Sequence, residues 1–170
     1  MKRLILVFIV LLTFSNVNAT HIMGGEITWK CIKDPLDPDV GKYIFTMKLY
    51  RDCEGTTLPM GSELVNMWGA GAPVASITCD FISNTDISPN CNSLMSGNPS
   101  LDCYGATPAG AVEEYIYQSQ PISLVGTPPA TGWHFTWASC CRNGAIVNLV
   151  DPDTKGFTLR AAMYPYIDPN

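Results

Sequence analysis

The chain has 170 residues, 15 of them acidic and 10 basic, for a formal charge of −5; 46% are hydrophobic. That balance argues against nucleic-acid binding, which needs clustered Lys and Arg against phosphate, and against adhesion to anionic membrane surfaces. The length fits one domain able to bury about 70% of its unfolded surface.

The first element is a targeting segment. Lys2 and Arg3 precede an apolar run from Leu4 to Leu12, and Val17-Asn18-Ala19 places small residues before a cleavage point. This is the pattern of a secretory signal peptide over residues 1–19, cleaved after Ala19. The apolar run is well short of the ~20 residues needed to span a bilayer, so no membrane insertion is expected after cleavage.

The rest, residues 20–170, reads as one β domain. Ile27, Trp29 and Cys31 alternate with Glu26, Thr28 and Lys30, and Tyr43, Phe45, Met47 and Leu49 alternate with Ile44, Thr46, Lys48 and Tyr50. Both stretches have the period of half-buried strands, and the Asp-Pro turn dipeptides between them predict a hairpin with a long loop. Further strands are expected at Glu63–Trp68, Val74–Phe81, Val112–Ser119, Trp133–Ser139, Ala145–Val150 and Phe157–Tyr164, each bounded by turn residues. With 14 Gly and 13 Pro, long helices are excluded. Ser83–Gly110 lacks periodicity, is rich in Asn, Ser, Pro and Gly, and reads as an excursion pinned by a disulfide. The fold class expected is an immunoglobulin-like antiparallel β-sandwich. Because a core strand at Phe157–Tyr164 is followed closely by Asn170, the domain is expected to be the N-terminal module of a longer chain.

Seven cysteines, Cys31, Cys53, Cys79, Cys91, Cys103, Cys140 and Cys141, are disulfide candidates in an exported chain. Hairpin register places Cys31 and Cys53 at opposite ends of their strands, so they should not pair. Cys91 and Cys103, both in the turn-rich excursion, are the expected bridge. Cys53 is then expected to pair with Cys140 or Cys141. Without Cys-x-x-Cys or a suitably spaced His, zinc is not indicated.

The sequence nominates few chemical groups. His21 near the mature terminus, with His134, offers a copper brace only if cleavage falls after Thr20. Asp34, Asp37 and Asp39, and separately Asp151 and Asp153, resemble parts of calcium loops, but turns are the favoured reading, and Lys155 stands where a ligand is needed. Glu113 and Glu114 are adjacent on a strand and point to opposite faces, Glu113 with Tyr115 and Tyr117. They therefore do not form a glycosidase pair. A Cys140 or Cys141 thiol with His134 would be a nucleophile pair, against which structural disulfides are the simpler use. Gly69-Ala70-Gly71-Ala72-Pro73 lacks the Lys of a phosphate loop, and no nucleophile elbow occurs. Trp133, Phe135 and Trp137 share a face expected to be core rather than a sugar platform.

Four strings carry a resemblance: Thr20-His21-Ile22-Met23-Gly24-Gly25-Glu26-Ile27-Thr28-Trp29, Lys48-Leu49-Tyr50-Arg51-Asp52-Cys53, Ala111-Val112-Glu113-Glu114-Tyr115-Ile116-Tyr117, and Gly132-Trp133 through Ser139-Cys140-Cys141-Arg142-Asn143. Together they resemble the N-terminal module of very large exported Bacteroidota proteins. Such proteins carry immunoglobulin-like repeats and end in a gliding-motility-associated sorting domain. The resemblance implies a secreted or cell-surface, adhesin-like role and assigns no catalytic residue and no cofactor. A non-catalytic contact module is the leading expectation, with a surface glycan or another cell-surface protein as partner. An exported carbohydrate-binding module, or a copper-dependent or glycan-hydrolysing enzyme, is the alternative.

Overall fold

The structure is a computed structural model, and it describes residues 22–89, 101–105, 109–140, 142–144 and 146–165. Seven strands follow in chain order: β1 (Ile22–Cys31), β2 (Tyr43–Asp52), β3 (Glu63–Gly69), β4 (Ala72–Asp86), β5 (Val112–Gln118), β6 (Trp133–Ser139) and β7 (Phe157–Met163). A short 3-10 turn, Pro152–Thr154, precedes β7. Every neighbouring pair is antiparallel, and the order across the sheet is β1-β2-β5-β4-β3-β6-β7. In constant-type immunoglobulin domains the first, second, fifth and fourth strands form one sheet, and the third, sixth and seventh form the other. The same order holds here. The two layers are joined because β4 is 15 residues long and serves both. Its first half, to Cys79, pairs with β3, and its second half, from Asp80, pairs with β5 across a bulge at Phe81/Ser83. Strands that change sheet through a bulge make the corners of such sandwiches.

The alternation in sequence translates into the core. Phe45, Met47 and Leu49 on β2 are buried while their neighbours are half-buried, and Tyr115 and Tyr117 on β5 behave likewise. The two layers meet where Phe45 packs on Phe135 of β6, with ring centroids 4.6 Å apart, and Trp29 lies over both. Trp133, Phe135 and Trp137 are all buried, so their shared face is core, as their spacing predicts. Polar ends of buried aromatics find partners: Trp137 Nε1 donates to Glu63 (2.9 Å) and the Tyr117 hydroxyl to the Pro59 carbonyl (2.8 Å).

At the open side β1 comes close to β7. A Cβ on Gly25 would fall 2.9 Å from Leu159 Cδ1 and would also strike the Lys48 carbonyl, so only Gly fits there. A parallel bridge between Ile22 and Arg142 adds a further link.

Three expectations are corrected. Ala145–Val150 contributes no strand among its described residues 146–150, which lie in turns and bends after Ile146 N donates to the Asn143 carbonyl (3.2 Å). Ser83–Asp86 belongs to β4, not to the excursion, because its backbone pairs with Ile116 through Glu113. Cysteine pairing also differs. Cys103 is bonded to Cys53, with Cα atoms 5.1 Å apart, which displaces both the Cys91–Cys103 bridge and a Cys53 link to Cys140 or Cys141. The reason is register: Asp52 pairs with Val112, so the end of β2 lies at the base of the excursion that enters β5. The excursion is therefore pinned by a disulfide, but to the strand beside it rather than to itself. Cys140 is also disulfide-bonded, whereas Cys31 and Cys79 are free thiols. Cys31 pairs in register with Tyr43, far from Cys53, as the hairpin argument requires. Cys91 and Cys141 lie outside the described residues.

Candidate functional site: a buried charge cluster behind the disulfide

Two charged residues interrupt the apolar inward faces. On β2 the series Phe45, Met47, Leu49 continues to Arg51, and on β5 the series Tyr117, Tyr115 continues to Glu113. The register sets Arg51 opposite Glu113, and both side chains are almost wholly buried, at 5% and 1% exposure. Arg51 Nε and Nη2 donate to Glu113 Oε2 at 3.1 and 2.7 Å, and Arg51 Nη1 donates to the Gly55 carbonyl. Asn84 Nδ2 (2.6 Å) and the Tyr104 hydroxyl donate to Glu113 Oε1. The guanidinium lies 6.0 Å from the Tyr115 ring centre. Burying a pair of ions is tolerable only when their remaining hydrogen-bonding capacity is met, and here four donors occupy the carboxylate.

Proton affinities follow from this geometry. Burial acts to raise the Glu113 pKa, but hydrogen bonds from Tyr104, Arg51 and Asn84 outweigh it and hold the carboxyl below its usual value. The hydrogen bond to Glu113, with burial, pushes Tyr104 up to about 12. Burial first, and Glu113 beside it, raise Tyr115, whose buried hydroxyl lies near Glu113 and the Leu58 backbone without a well-aligned hydrogen bond.

The excursion is fastened by a second carboxylate. Asp86 at the end of β4 accepts hydrogen bonds from Ser88 N and Cys103 N, both at 2.8 Å, and from the Ser88 hydroxyl. Ser88 Oγ in turn accepts from Val112 N (2.9 Å). The Ser88 and Cys103 hydrogen bonds lower the Asp86 pKa. Asn143 Nδ2 donates to Asp52 Oδ2 (2.9 Å), bringing the β6–β7 connection to the same end. Parts of the four strings singled out in the sequence thus meet at one end of the sandwich: Ile22 with Arg142, Arg51 with Glu113, and Asp52 with Asn143.

The other nominated groups are held apart and used locally. His21 lies outside the described residues. His134 points outward, its ring nitrogens 3.0 and 3.1 Å from Arg160 Nη2. Glu114 faces away from Glu113 and pairs with Lys48 at 3.1 Å, as strand geometry predicts. Asp34 and Asp37 cap their own turns through Leu36 N and Asp39 N, and Asp39 pairs with Lys42 at 2.6 Å. Asp151 starts the 3-10 turn with a left-handed backbone, φ 47°. Among the described residues no three His, Cys, Asp or Glu side chains converge to hold a metal ion. Burial pushes the Cys79 thiol up to about 11, away from thiolate chemistry. Asn84 and Tyr104 are singled out by nothing in the sequence, and Arg51 stands in one of the four strings with no role assigned to it. For Arg51 the signal was its place in the inward period of β2.

Comparison with protein-family models, with curated proteins and with solved structures finds no match for the chain.

Proposed function

We propose that the chain is a non-catalytic module of an exported, adhesin-like protein of the gliding-associated Bacteroidota type, acting in surface contact. The observation that carries this reading is the use made of Glu113. It is the best-buried carboxylate on the core face, and both its oxygens are occupied by Arg51, Asn84 and Tyr104. A group so engaged, and held ionised, braces a loop against strands rather than exchanging protons with a substrate. The Cys53–Cys103 bridge supports an oxidising compartment, in keeping with a signal peptide at residues 1–19. No helix among the described residues is long and apolar enough to cross a membrane. Loops on a rigid sandwich suit recognition.

The test has two arms. Material recovered from outside a producing cell should begin at Thr20; a start at Met1 removes the export argument. The oxidised protein should show no turnover of polysaccharides or model esters with copper, with calcium or without metal. Turnover abolished by His134→Ala overturns the reading in favour of a copper enzyme. Saturable polysaccharide binding without turnover replaces it with a carbohydrate-binding module.

A further inference from the structure

Strands β4 and β5 are paired only from Asp80 on along β4 and only up to Gln118 along β5, these two residues facing each other at the end of the ladder. Before Asp80, β4 turns aside to pair with β3. After Gln118 the chain instead continues along β2: Ser119 N donates to the Phe45 carbonyl (2.9 Å), and Ile122 and Tyr43 exchange backbone hydrogen bonds at 2.9 and 2.8 Å. A wedge-shaped groove of ≈ 590 Å³ opens between these diverging segments. Val74, Ile77, Leu124 and Val125 line it, with Asp80 at the apex where the strands rejoin. No backbone hydrogen bond crosses it among the described residues. Residues 72–76 of β4 are all exposed, and Val125 is 86% exposed. The β4 wall is a strand edge paired with β3 on its far side, and such edges accept an added strand; the other wall is an irregular segment tied to β2 at Ser119 and Ile122.

We propose that this groove binds an extended peptide strand of a partner protein, apolar on one face and carrying a Lys or Arg that reaches Asp80. An occupant seated between the walls pairs with the β4 edge and lies with its other edge against the 119–125 segment, so both its edges must be free. Every described strand of this chain is already paired with at least one neighbour, so a folded second copy offers no such strand among the described residues. Asp80 is the one ionic group lining the groove among the described residues, on a chain of net charge −5, which sets the complementary charge as positive. Its carboxylate is exposed and engages only the Ser62 hydroxyl, at 2.7 Å, leaving room for a cation. Apolar side chains at alternate positions match the apolar lining, and the segment from Val74 to Asp80 accommodates roughly seven extended residues.

This deepens the reading of a contact module and rests on it. The test uses the purified oxidised chain, so its failure leaves the export and turnover results standing. A displayed library of random ten-residue peptides is selected on the protein, and the enriched peptides are synthesised. They should alternate apolar residues, carry Lys or Arg near one end, and slow amide exchange in residues 72–80 and 119–125. Filling the groove from either wall, with Ala75→Trp or Val125→Trp, should weaken binding by roughly tenfold or more. Circular dichroism and thermal midpoint report whether each variant is folded. Asp80→Asn should remove the preference for basic peptides. Peptides that bind the folded Val125→Trp protein equally well, or protection elsewhere on the surface, overturn the proposal. So does protection of 72–80 that grows with protein concentration in the absence of peptide, which assigns the groove to a second copy.

Discussion

Arg51 and Glu113 occupy paired positions on β2 and β5, 62 residues apart in sequence, and their side chains meet at 2.7 Å inside the sandwich. An ion pair this deep is costly to break from one side, since the survivor keeps its burial and loses its partner. Arg51→Met or Glu113→Leu alone should each lower stability by about 3–5 kcal/mol. The double variant should cost clearly less than the two combined, because it leaves no orphaned charge. Urea unfolding of the four proteins measures the coupling; strict additivity would show that the pair is not a unit.

The disulfide closes the chain between Cys53 and Cys103, a separation of 50 residues. Loop-closure entropy for that length corresponds to about 4 kcal/mol of stabilisation. The Cys53→Ser/Cys103→Ser protein should unfold at correspondingly lower denaturant. Tyr104, next to Cys103, should lose its hold on Glu113 first. Amide exchange would register this as early opening of residues 101–105 while β2 and β5 remain protected.

Much of this fold is legible in the period of two. Trp133, Phe135 and Trp137 point inward, as do Phe45, Met47 and Leu49, because a strand with one buried face must alternate. The end of β4 escapes that logic. Ser83, Asn84, Thr85 and Asp86 carry no apolar pattern; they form strand because β5 offers its backbone, and Asn84 and Asp86 serve the charge cluster and the loop. Ala145–Val150 fails in the opposite way. Its apolar residues look strand-like, yet Asn143 is drawn to Asp52 and Arg142 N to the Lys155 carbonyl (3.1 Å), which commits the segment to a turn. Disulfide pairing depends on which loops share an end of the sandwich, and that emerges only with strand order. The buried pair was half visible: the inward series on β5 placed Glu113 beside Tyr115, but its partner required the β2–β5 register.

Tyr115 and Tyr117 both lie on the buried face of β5 and differ in their hydroxyls. That of Tyr117 donates to the Pro59 carbonyl at 2.8 Å, whereas that of Tyr115 is buried near Glu113 without a well-aligned hydrogen bond. Removing a satisfied hydroxyl costs about 1 kcal/mol, and removing an unsatisfied one is neutral or favourable. Tyr117→Phe should therefore destabilise, and Tyr115→Phe should leave the thermal midpoint unchanged or raise it. The reverse order would contradict the hydrogen-bond assignment.

Gly25 and Gly41 are required for different reasons. At Gly25 there is no room, with Leu159 Cδ1 only 2.9 Å from where a Cβ would stand. At Gly41 there is open space but φ is +83°, a conformation L-residues resist. Gly25→Ala should cost about 1–3 kcal/mol through forced movement of β1 from the Lys48 carbonyl of β2 and from Leu159 of β7. Gly41→Ala should cost about 1 kcal/mol through backbone strain alone. No loss of stability in Gly25→Ala would mean that β1 is not held close to Lys48 and Leu159 at this point.

Stability should decline at both ends of the pH scale, through groups that meet in one cluster. Glu113 and Asp86 have folded pKa values below their ordinary 4.5 and 3.8. Their stabilisation is complete above those unfolded values and is lost as pH falls through the lower folded ones, because only the unfolded chain takes up protons in between. Tyr104 behaves in the opposite sense. Its folded value is raised from 10.0 to about 12, so its contribution is complete below pH 10 and is lost as pH rises towards 12. Denaturation midpoints measured from pH 2 to 12 should show both declines. Glu113→Gln should flatten the acid arm, leaving the Asp86 part; Tyr104→Phe should reduce the alkaline arm, leaving the parts from Cys79, Tyr115 and Tyr117, and should also weaken the acid arm, because the Tyr104 hydroxyl helps hold Glu113 ionised. An acid arm unchanged in Glu113→Gln would mean that the carboxylate at the centre of the cluster is not the group held ionised by Arg51, Asn84 and Tyr104.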